Sequence, residues 1–302
     1  MKFVILTYAK DKLNVKTFDR LTEEAEARGH SIKRVRYSEC SMYVEHDVPK
    51  MRYRGKEILD VDVVIPWIIQ DDFEYGMEVV RQFESMGCYV LNGSTGFMNA
   101  CNKWRTAQIL ASKKIPAPNA YRANNYRSMY EYIDEMKDIS SVIKISTGTR
   151  GNGVMLAKDK QASKSIVGTL SRCTSDYILQ EFVEDSAGVD VRAYVVGGNI
   201  VASMERRSLD DFRANISLGG KAKTPMLSEP EILEVPKTAS ALGLEVAGID
   251  FLRTNNGPLI IEANTSGGFG IEEITGVNVA AKIIDYIEIN AKRRNKKDKV
   301  GA

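Results

Sequence analysis

One stretch limits what this chain can build more than any other: Gly248 to Ser266, which reads GIDFLRTNNGPLIIEANTS. Two apolar runs flank Asn255-Asn256-Gly257, and Asn and Gly tolerate the positive φ that a tight hairpin turn needs. The pattern predicts two strands joined by that turn. With the turn centred on Asn256, Asp250 falls directly across from Glu262, with Cβ atoms about 4.5–5.5 Å apart. Asn264 lies two residues further on and shares the face of Glu262. Two carboxylates and an amide oxygen then converge between otherwise apolar strands. Facing carboxylates repel unless a cation lies between them. An all-oxygen donor set suits a hard ion such as magnesium. The competing picture, an edge hairpin with solvated acids, fits the apolar GIDFL and IIEA runs less well.

The rest of the chain narrows the chemistry. Its 42 basic and 40 acidic residues leave a net charge of +2. That is too balanced for the footprint of a specific nucleic-acid binder or a membrane-surface protein. No apolar run approaches the length of a membrane span. The opening MKFVILTYAK is cut short by charges and reads as a first strand rather than a signal peptide. Cys40, Cys88, Cys101 and Cys173 form no C-x-x-C and read as reduced thiols of a cytoplasmic protein. The only histidines are His30 and His46. Each is expected at the surface, which excludes chemistry built on histidine pairs.

Residues 1–93 alternate strand and helix patterns: KFVILTY, a helix over Lys16–Arg28, IKRVRY, a hairpin over 42–59 turning at Gly55, VDVVIPWI running into Trp67, Gln70 and Asp71, a helix over 76–86, and CYVLN. Such alternation implies a parallel sheet with ligands at the carboxyl ends of its strands. No G-x-G-x-x-G follows the first strand, so a dinucleotide site there is not supported. From Ser94 a single helix is expected through Lys114, with Met98, Ala107, Ile109 and Leu110 in the core and Lys103 mid-helix. Spacing alone makes Lys103 a surface lysine.

Lys144 is different. It sits inside the apolar strand SVIKIS, where an ammonium is costly to bury unless an anion pairs with it. Next comes Thr147-Gly148-Thr149-Arg150-Gly151-Asn152-Gly153, then the strand VMLA. A glycine-rich loop between two strands is a hairpin whose backbone amides can close over phosphates. Without Gly-Lys-Ser/Thr opening a helix it is not a Walker A loop. Gln180 to Val183, at the end of DYILQEFVED, has the backbone donors and acceptors to read an adenine edge, or is an ordinary strand end. VDVRAYVVGGNIVASMERRS predicts a strand pair turning at Gly197-Gly198-Asn199, with Asp190 and Arg192 on one face and Glu205 and Arg207 on the corresponding face of the return strand. These charges line an anionic cleft or a solvated surface. Arg213 and Asn215 precede a Gly-Gly turn. Helices over 229–242 and 277–292 flank the opening hairpin, and a basic tail follows.

In their joint order, VIKISTGTRGNGVMLA, ILQEFVEDSAGVDVRAYVVG, MERRSLDDFRANISLGG and VAGIDFLRTNNGPLIIEAN resemble the ATP-grasp superfamily. Within it they resemble the RimK-type carboxylate–amine ligases, which include the enzyme that adds glutamate to the C-terminus of a ribosomal protein. The resemblance spans nearly the whole chain. It implies an α/β (α+β) chain with an ATP-grasp fold behind an N-terminal α/β pre-ATP-grasp domain. The expected divisions are 1–93, 94–290 (94–177 with the glycine flap, 178–290 with the metal site) and a flexible tail at 291–302. It implies that Lys103 and Lys144 contact the phosphates of ATP, with Gly148, Gly151 and Gly153 in the flap. Glu181, Phe182 and Val183 would form the adenine hinge, and Asp190 a ribose or nucleotide contact. Arg192, Arg207, Arg213 and Asn215 would line the phosphate and acyl region. Asp250, Glu262 and Asn264 would hold two magnesium or manganese ions. The implied partners are an amino-acid donor, glutamate first, and a carboxylate-bearing acceptor such as a peptide or protein C-terminus. A homo-oligomer, tetrameric in many relatives, is also implied.

The sequence departs from that pattern near the expected substrate cleft. Trp67, Ile68 and Ile69 stand where Arg-Ile-Gly is usual, Thr265 to Gly270 lacks the usual Ser-Pro-Gly, and Asn102 replaces an Asp. Trp67 is either an aromatic wall for a different acceptor or a packing residue. Two other functions stay open. One is a ligase that modifies a ribosomally made peptide or uses another amino donor. The other is an ATP-binding module without turnover.

Overall fold

The computed structural model describes residues 1–8, 14–69, 72–137, 139–146, 153–174, 176–208, 210–214 and 220–292. The N-terminal unit is a parallel sheet in the order β2-β1-β6-β7, formed by β1 (Lys2–Thr7), β2 (Ser31–Arg36), β6 (Val63–Pro66) and β7 (Tyr89–Val90). Alternation along β1 decides what covers each face. Phe3 and Ile5 pack with Phe18 and Leu21 of α1 (Val15–Ala27) and with Ile283, Ile284 and Ile287 of α9 (Val279–Lys292). Val4 and Leu6 pack with Met77, Val80 and Phe83 of α2 (Phe73–Ser85). The expected hairpin over 42–59 is a three-stranded meander instead. It comprises β3 (Cys40–Glu45), β4 (Val48–Tyr53) and β5 (Lys56–Glu57), because His46 and Asp47 take positive φ and make a first turn ahead of the one at Gly55. His30 is not a surface residue: its ring stacks on Phe3 at 4.9 Å and its Nε2 lies 2.7 Å from Glu288 Oε1.

Two antiparallel sheets follow. The smaller, in the order β10-β9-β11-β8, joins β8 (Ala120–Tyr121), β9 (Ser141–Ile145), β10 (Val154–Ala157) and β11 (Tyr177–Glu181). It is backed by α5 (Tyr126–Glu135) and α6 (Lys160–Leu170) through Met129, Ile133 and Val167. The larger, in the order β14-β13-β12-β15-β16, joins β12 (Val189–Val196), β13 (Asn199–Arg207), β14 (Lys221–Lys223), β15 (Val246–Thr254) and β16 (Gly257–Asn264). Helix α7 (Glu229–Leu242) packs behind it through Val235, Ala239 and Leu242. A short α8 (Gly270–Thr275) follows β16. No helix among the described residues is long and apolar enough to cross a membrane.

The helix expected from Ser94 to Lys114 is two helices, α3 (Ser94–Ala100) and α4 (Lys103–Ser112). Asn102 causes the break: it leaves helical geometry and its side chain accepts from the Arg105 N–H, as an N-cap does. Lys103 therefore opens α4 rather than lying mid-helix. Met98, expected in the core, is 38% exposed, whereas Leu110 is buried.

Candidate functional site

The two antiparallel sheets and the start of α4 enclose a cavity of about 130 Å³. Its walls mix apolar and ionic side chains. Val142 of β9, Val154 of β10, Leu252 of β15 and Ile261 of β16 join Phe182 and Phe212 to make an apolar slot. The two phenyl rings meet edge to face at 6.2 Å. Such a slot fits a flat heteroaromatic ring. Glu181, Phe182 and Val183 line it as expected. The Glu181 N–H donates to Asn119 O and the Phe182 N–H to Ser140 O, so both are committed.

Much of the rest of the lining is ionic, interleaved with these apolar side chains: Lys144 pairs with Val154, and Glu262 follows Ile261. Lys103 and Lys144 line the cavity together with Asp190, Arg206, Asp250 and Glu262. Lys144 is fixed by β9, where it pairs with Val154 on one side and Ile178 on the other. Burial lowers its pKa to about 8; Glu262 and Asp250 pull it up and Lys103 pushes it further down. An anion arriving here would restore its charge. Arg213 also lines the cavity, oriented by Asp211 through contacts of 2.6–3.1 Å. Of the flap residues, Gly148 and Gly151 lie outside the described residues, as does Asn215. Gly153 is described. It has φ +74°, and a Cβ there would stand 3.1 Å from Ile145, so the base of the flap requires glycine.

The hairpin pairs Asp250 with Glu262 and Gly248 with Asn264, as expected. The route differs. The turn is the two-residue Asn255-Asn256, with Thr254 opposite Gly257, and an extra residue at Ile261 shifts the register by one. The shorter turn and the bulge compensate for each other. β16 is an edge strand; Asp250 stands on β15, one strand further in, and is only 2% exposed. The cations held against Asp250 are guanidinium groups. Arg192 Nε and Nη2 donate to its Oδ1 and Oδ2 at 2.7 and 2.6 Å, and Arg206 Nη2 donates to Oδ2 at 2.9 Å. Burial works against its charge, but the two arginines hold its pKa below the ordinary carboxylate value.

The donor set fits a hard cation. Among the described residues no three His, Cys, Asp or Glu side chains cluster as a metal site. What the hairpin offers is two carboxylates and an amide. The Glu262 carboxylate forms no hydrogen bond or ion pair with a described residue. Asn264 commits its Nδ2 toward Asp250 Oδ2 at 3.3 Å and Gly248 O at 3.4 Å, which leaves Oδ1 as the acceptor it can present. Three oxygen-bearing groups on adjacent strands are what magnesium takes, with water or phosphate oxygens completing the shell.

One expected residue is not part of this site. Arg207 was expected on the face of Asp190 and Arg192. In the structure Asp190 pairs with Arg206 and Arg192 with Met204, so Glu205 and Arg207 point to the other side of the sheet. The cause is a bulge: the turn at Gly197-Gly198 sets one register, and the extra residue Val201 exchanges the faces beyond it. Arg206, which the sequence reading passed over, is the buried arginine of the cavity. The signal that points to it is in the expected turn: Gly197-Gly198-Asn199 is centred on Gly198, which already places Arg206 opposite Asp190.

Trp67 is 4% exposed and packs edge-on against Phe18 at 5.6 Å and Phe269 at 6.2 Å. It is a packing residue that ties the parallel sheet to the Thr265–Gly270 loop, and it does not line the cavity. Gln70 and Asp71 lie outside the described residues.

Comparison with known proteins gives a consistent result. A family model described as the RimK-like ATP-grasp domain matches residues 100–287, and one described as the RimK PreATP-grasp domain matches residues 1–97. A protein of Legionella pneumophila named "Probable alpha-L-glutamate ligase" is 41% identical over 276 residues, covering 90% of this chain and 91% of its own. Among solved structures, a RimK domain ATP-grasp protein from Sphaerobacter thermophilus superposes with a TM-score of 0.72 at 20% identity, over 95% of this chain and 99% of that one. The ATP-grasp ligase PsnB, solved with a minimal precursor, Mg and ADP, gives 0.70 at 20% identity, over 97% and 98%.

Proposed function

This chain belongs to the RimK-like ATP-grasp family of ATP-dependent carboxylate–amine ligases, and from that premise we propose that it joins glutamate, or a similar amino acid, to the carboxylate of a peptide, a protein C-terminus or a small molecule. The family's ligases work on ATP with magnesium. The observation that carries the reading is the make-up of the cavity: apolar side chains and the Glu181–Val183 segment line it together with two lysines and the carboxylates of the hairpin.

A carboxylate is a poor electrophile, because its charge repels nucleophiles and oxide is a poor leaving group. Transfer of the γ-phosphoryl group from ATP to a carboxylate oxygen yields ADP and an acyl phosphate. The amine then attacks the acyl carbon, the amide forms, and phosphate departs with the carboxylate's oxygen. No covalent protein nucleophile is needed, so the protein's work is positioning and charge neutralisation. In this reading the adenine lies in the apolar slot against Phe182 and Phe212, beside Glu181 and Val183, and Asp190 accepts from the ribose. Lys103, Lys144 and Arg213 neutralise phosphate oxygens, and Asn215 donates its amide N–H to one. Gly148, Gly151 and Gly153 close the flap and exclude water, which would hydrolyse the acyl phosphate. Arg192, which does not itself line the cavity but is held against Asp250, neutralises the acyl phosphate. Asp250, Glu262 and Asn264 hold two magnesium or manganese ions, which when bound supply charge neutralisation at the transferring phosphoryl group. Arg207, on the far face, has no part.

Glutamate is preferred as donor because curated relatives about 40% identical carry that name, whereas the peptide-bound neighbours share the fold at 20% identity. A homo-oligomer belongs to this reading; Met226, Ile232 and Leu233, exposed near the start of α7, are the apolar side chains that support it. A screen of amino acids against peptide and small carboxylate acceptors tests it. ADP release with magnesium, together with a product heavier by one glutamyl residue, supports the proposal. ATP that binds and stays intact with every pair would leave a binding module.

A further inference from the structure

Arg206 lies between the two halves of the site. It is 3% exposed, near the end of β13, opposite Asp190 across the β12–β13 ladder. Its Nε donates to Asp190 Oδ1 at 2.6 Å and its Nη2 to Asp190 Oδ2 at 2.8 Å. The same Nη2 reaches over β12 to Asp250 Oδ2 at 2.9 Å. Asp250 stands on the third strand of this group, paired in register with Arg192. One planar cation therefore fixes a carboxylate from each of two strands, both more than nine-tenths buried. Burial works against the Arg206 charge, but Asp250 and Asp190 more than offset it and raise its pKa, so the guanidinium stays protonated.

Two features separate this from ordinary charge pairing. A bidentate fork sets the plane of Asp190 as well as its charge. Without Arg206, Asp190 would lose both bonds that fix its carboxylate, and Asp250, still held by Arg192, would lose its tie to Asp190. The two carboxylates also face different ligands in the reading above, Asp190 the ribose and Asp250 the divalent cation. We propose that Arg206 is the positioning residue that sets the nucleoside contact and the metal contact as one rigid unit. This rests on the assignment of Asp190 and Asp250 to those two ligands. Arg206 need touch neither ligand: each Asp190 oxygen accepts one bond from it, and Asp250 Oδ1, which accepts one bond from Arg192 Nε, keeps a lone pair for a ligand. Lysine cannot replace it: an ammonium keeps the charge but has no fork to span both carboxylates.

The test uses the full chain and two probes that share no atoms, so that direct contact between ligands cannot link them. Adenosine binding is followed by calorimetry, and Mn²⁺ binding, without nucleotide, by electron paramagnetic resonance. Arg206→Lys is expected to weaken both by about 10-fold or more, the size of a charge-assisted bond network. Asp190→Asn should weaken adenosine alone, and Arg192→Lys should weaken Mn²⁺ alone. A wild-type chain that binds neither probe sinks the nucleotide and metal assignments themselves. A wild type that binds both, with an Arg206→Lys variant that loses only one affinity or neither, overturns the role of Arg206. If Arg206→Lys does not fold, Arg206→Gln in the same two assays decides; it keeps part of the hydrogen bonding and must again lose both affinities. A purely structural arginine would lower the melting temperature and leave both dissociation constants where they were.

Discussion

Lys144 offers the sharpest perturbation, because stability and function should move in opposite directions. It stands among Val142, Ile143 and Ile145, and burial lowers its pKa from 10.5 to about 8. The folded chain thus holds this proton less firmly than the unfolded chain. Between about pH 8 and 10.5 the unfolded chain binds more protons, so stability rises with pH through that window. Below about pH 8 the full cost is present, at most on the order of 3 kcal/mol. Lys144→Met keeps the apolar stem and removes the charge. Its melting temperature at pH 7 should exceed that of wild type by several degrees, with the gap closing toward pH 10.5. Phosphate reverses the account, since an anion beside the ammonium draws its proton back. ADP binding should take up about 0.5 proton at pH 8 and about 0.1 at pH 7, read by calorimetry in buffers of different ionisation enthalpy. The Met variant should show no such uptake and should lose about 10- to 100-fold in ADP affinity. A Met variant less stable than wild type at pH 7, or one that binds ADP with unchanged affinity and proton uptake, would refute this reasoning.

Other substitutions probe separate parts of the account. Glu262→Gln removes the carboxylate that has no partner among the described residues; magnesium-dependent turnover should fall at least about 1,000-fold while ADP binding in a chelator stays within about threefold of wild type. Gly96→Ala gains at most about 1 kcal/mol of helix propensity. The new Cβ would stand 2.5 Å from the Gly243 carbonyl oxygen and 3.1 Å from a Leu244 methyl, and backbone cannot yield cheaply, so urea unfolding should show a net loss of about 1–3 kcal/mol. Arg207→Ala removes a side chain on the far face of the sheet, 3.9 Å from Glu205, and kcat/KM should stay within about twofold of wild type.

How much was legible in the chain follows from which signals are local. The order of strands and helices was readable, because hydrophobic periodicity and turn residues are written locally: α7 spans the expected 229–242, and the turn expected at Gly197-Gly198-Asn199 is Gly197-Gly198, one residue shorter. Lys144 stood out because an ammonium in an apolar strand is costly anywhere. Bulges were not legible. In one hairpin the bulge at Ile261 cancelled a misplaced turn centre, and Asp250 still met Glu262. In the other the turn is Gly197-Gly198 rather than Gly197-Gly198-Asn199, the bulge at Val201 restores the register centred on Gly198, and the arginine on the face of Asp190 is Arg206, not Arg207. An extra residue in a strand is chosen by packing on both faces at once, and a single segment carries no mark of it. The break before Lys103 was half legible: Asn102 is a good cap, but nothing nearby forbids the helix from running through.

The central claim is that the carboxylate is activated by phosphorylation before the amine attacks. It is tested most directly with an acceptor whose carboxylate carries oxygen-18, in a single reaction with unlabelled ATP, glutamate and magnesium. If an acyl phosphate forms, the phosphate released with ADP must contain one labelled oxygen for each amide made. Amide product accompanied by unlabelled phosphate, or by AMP and pyrophosphate, would contradict the account.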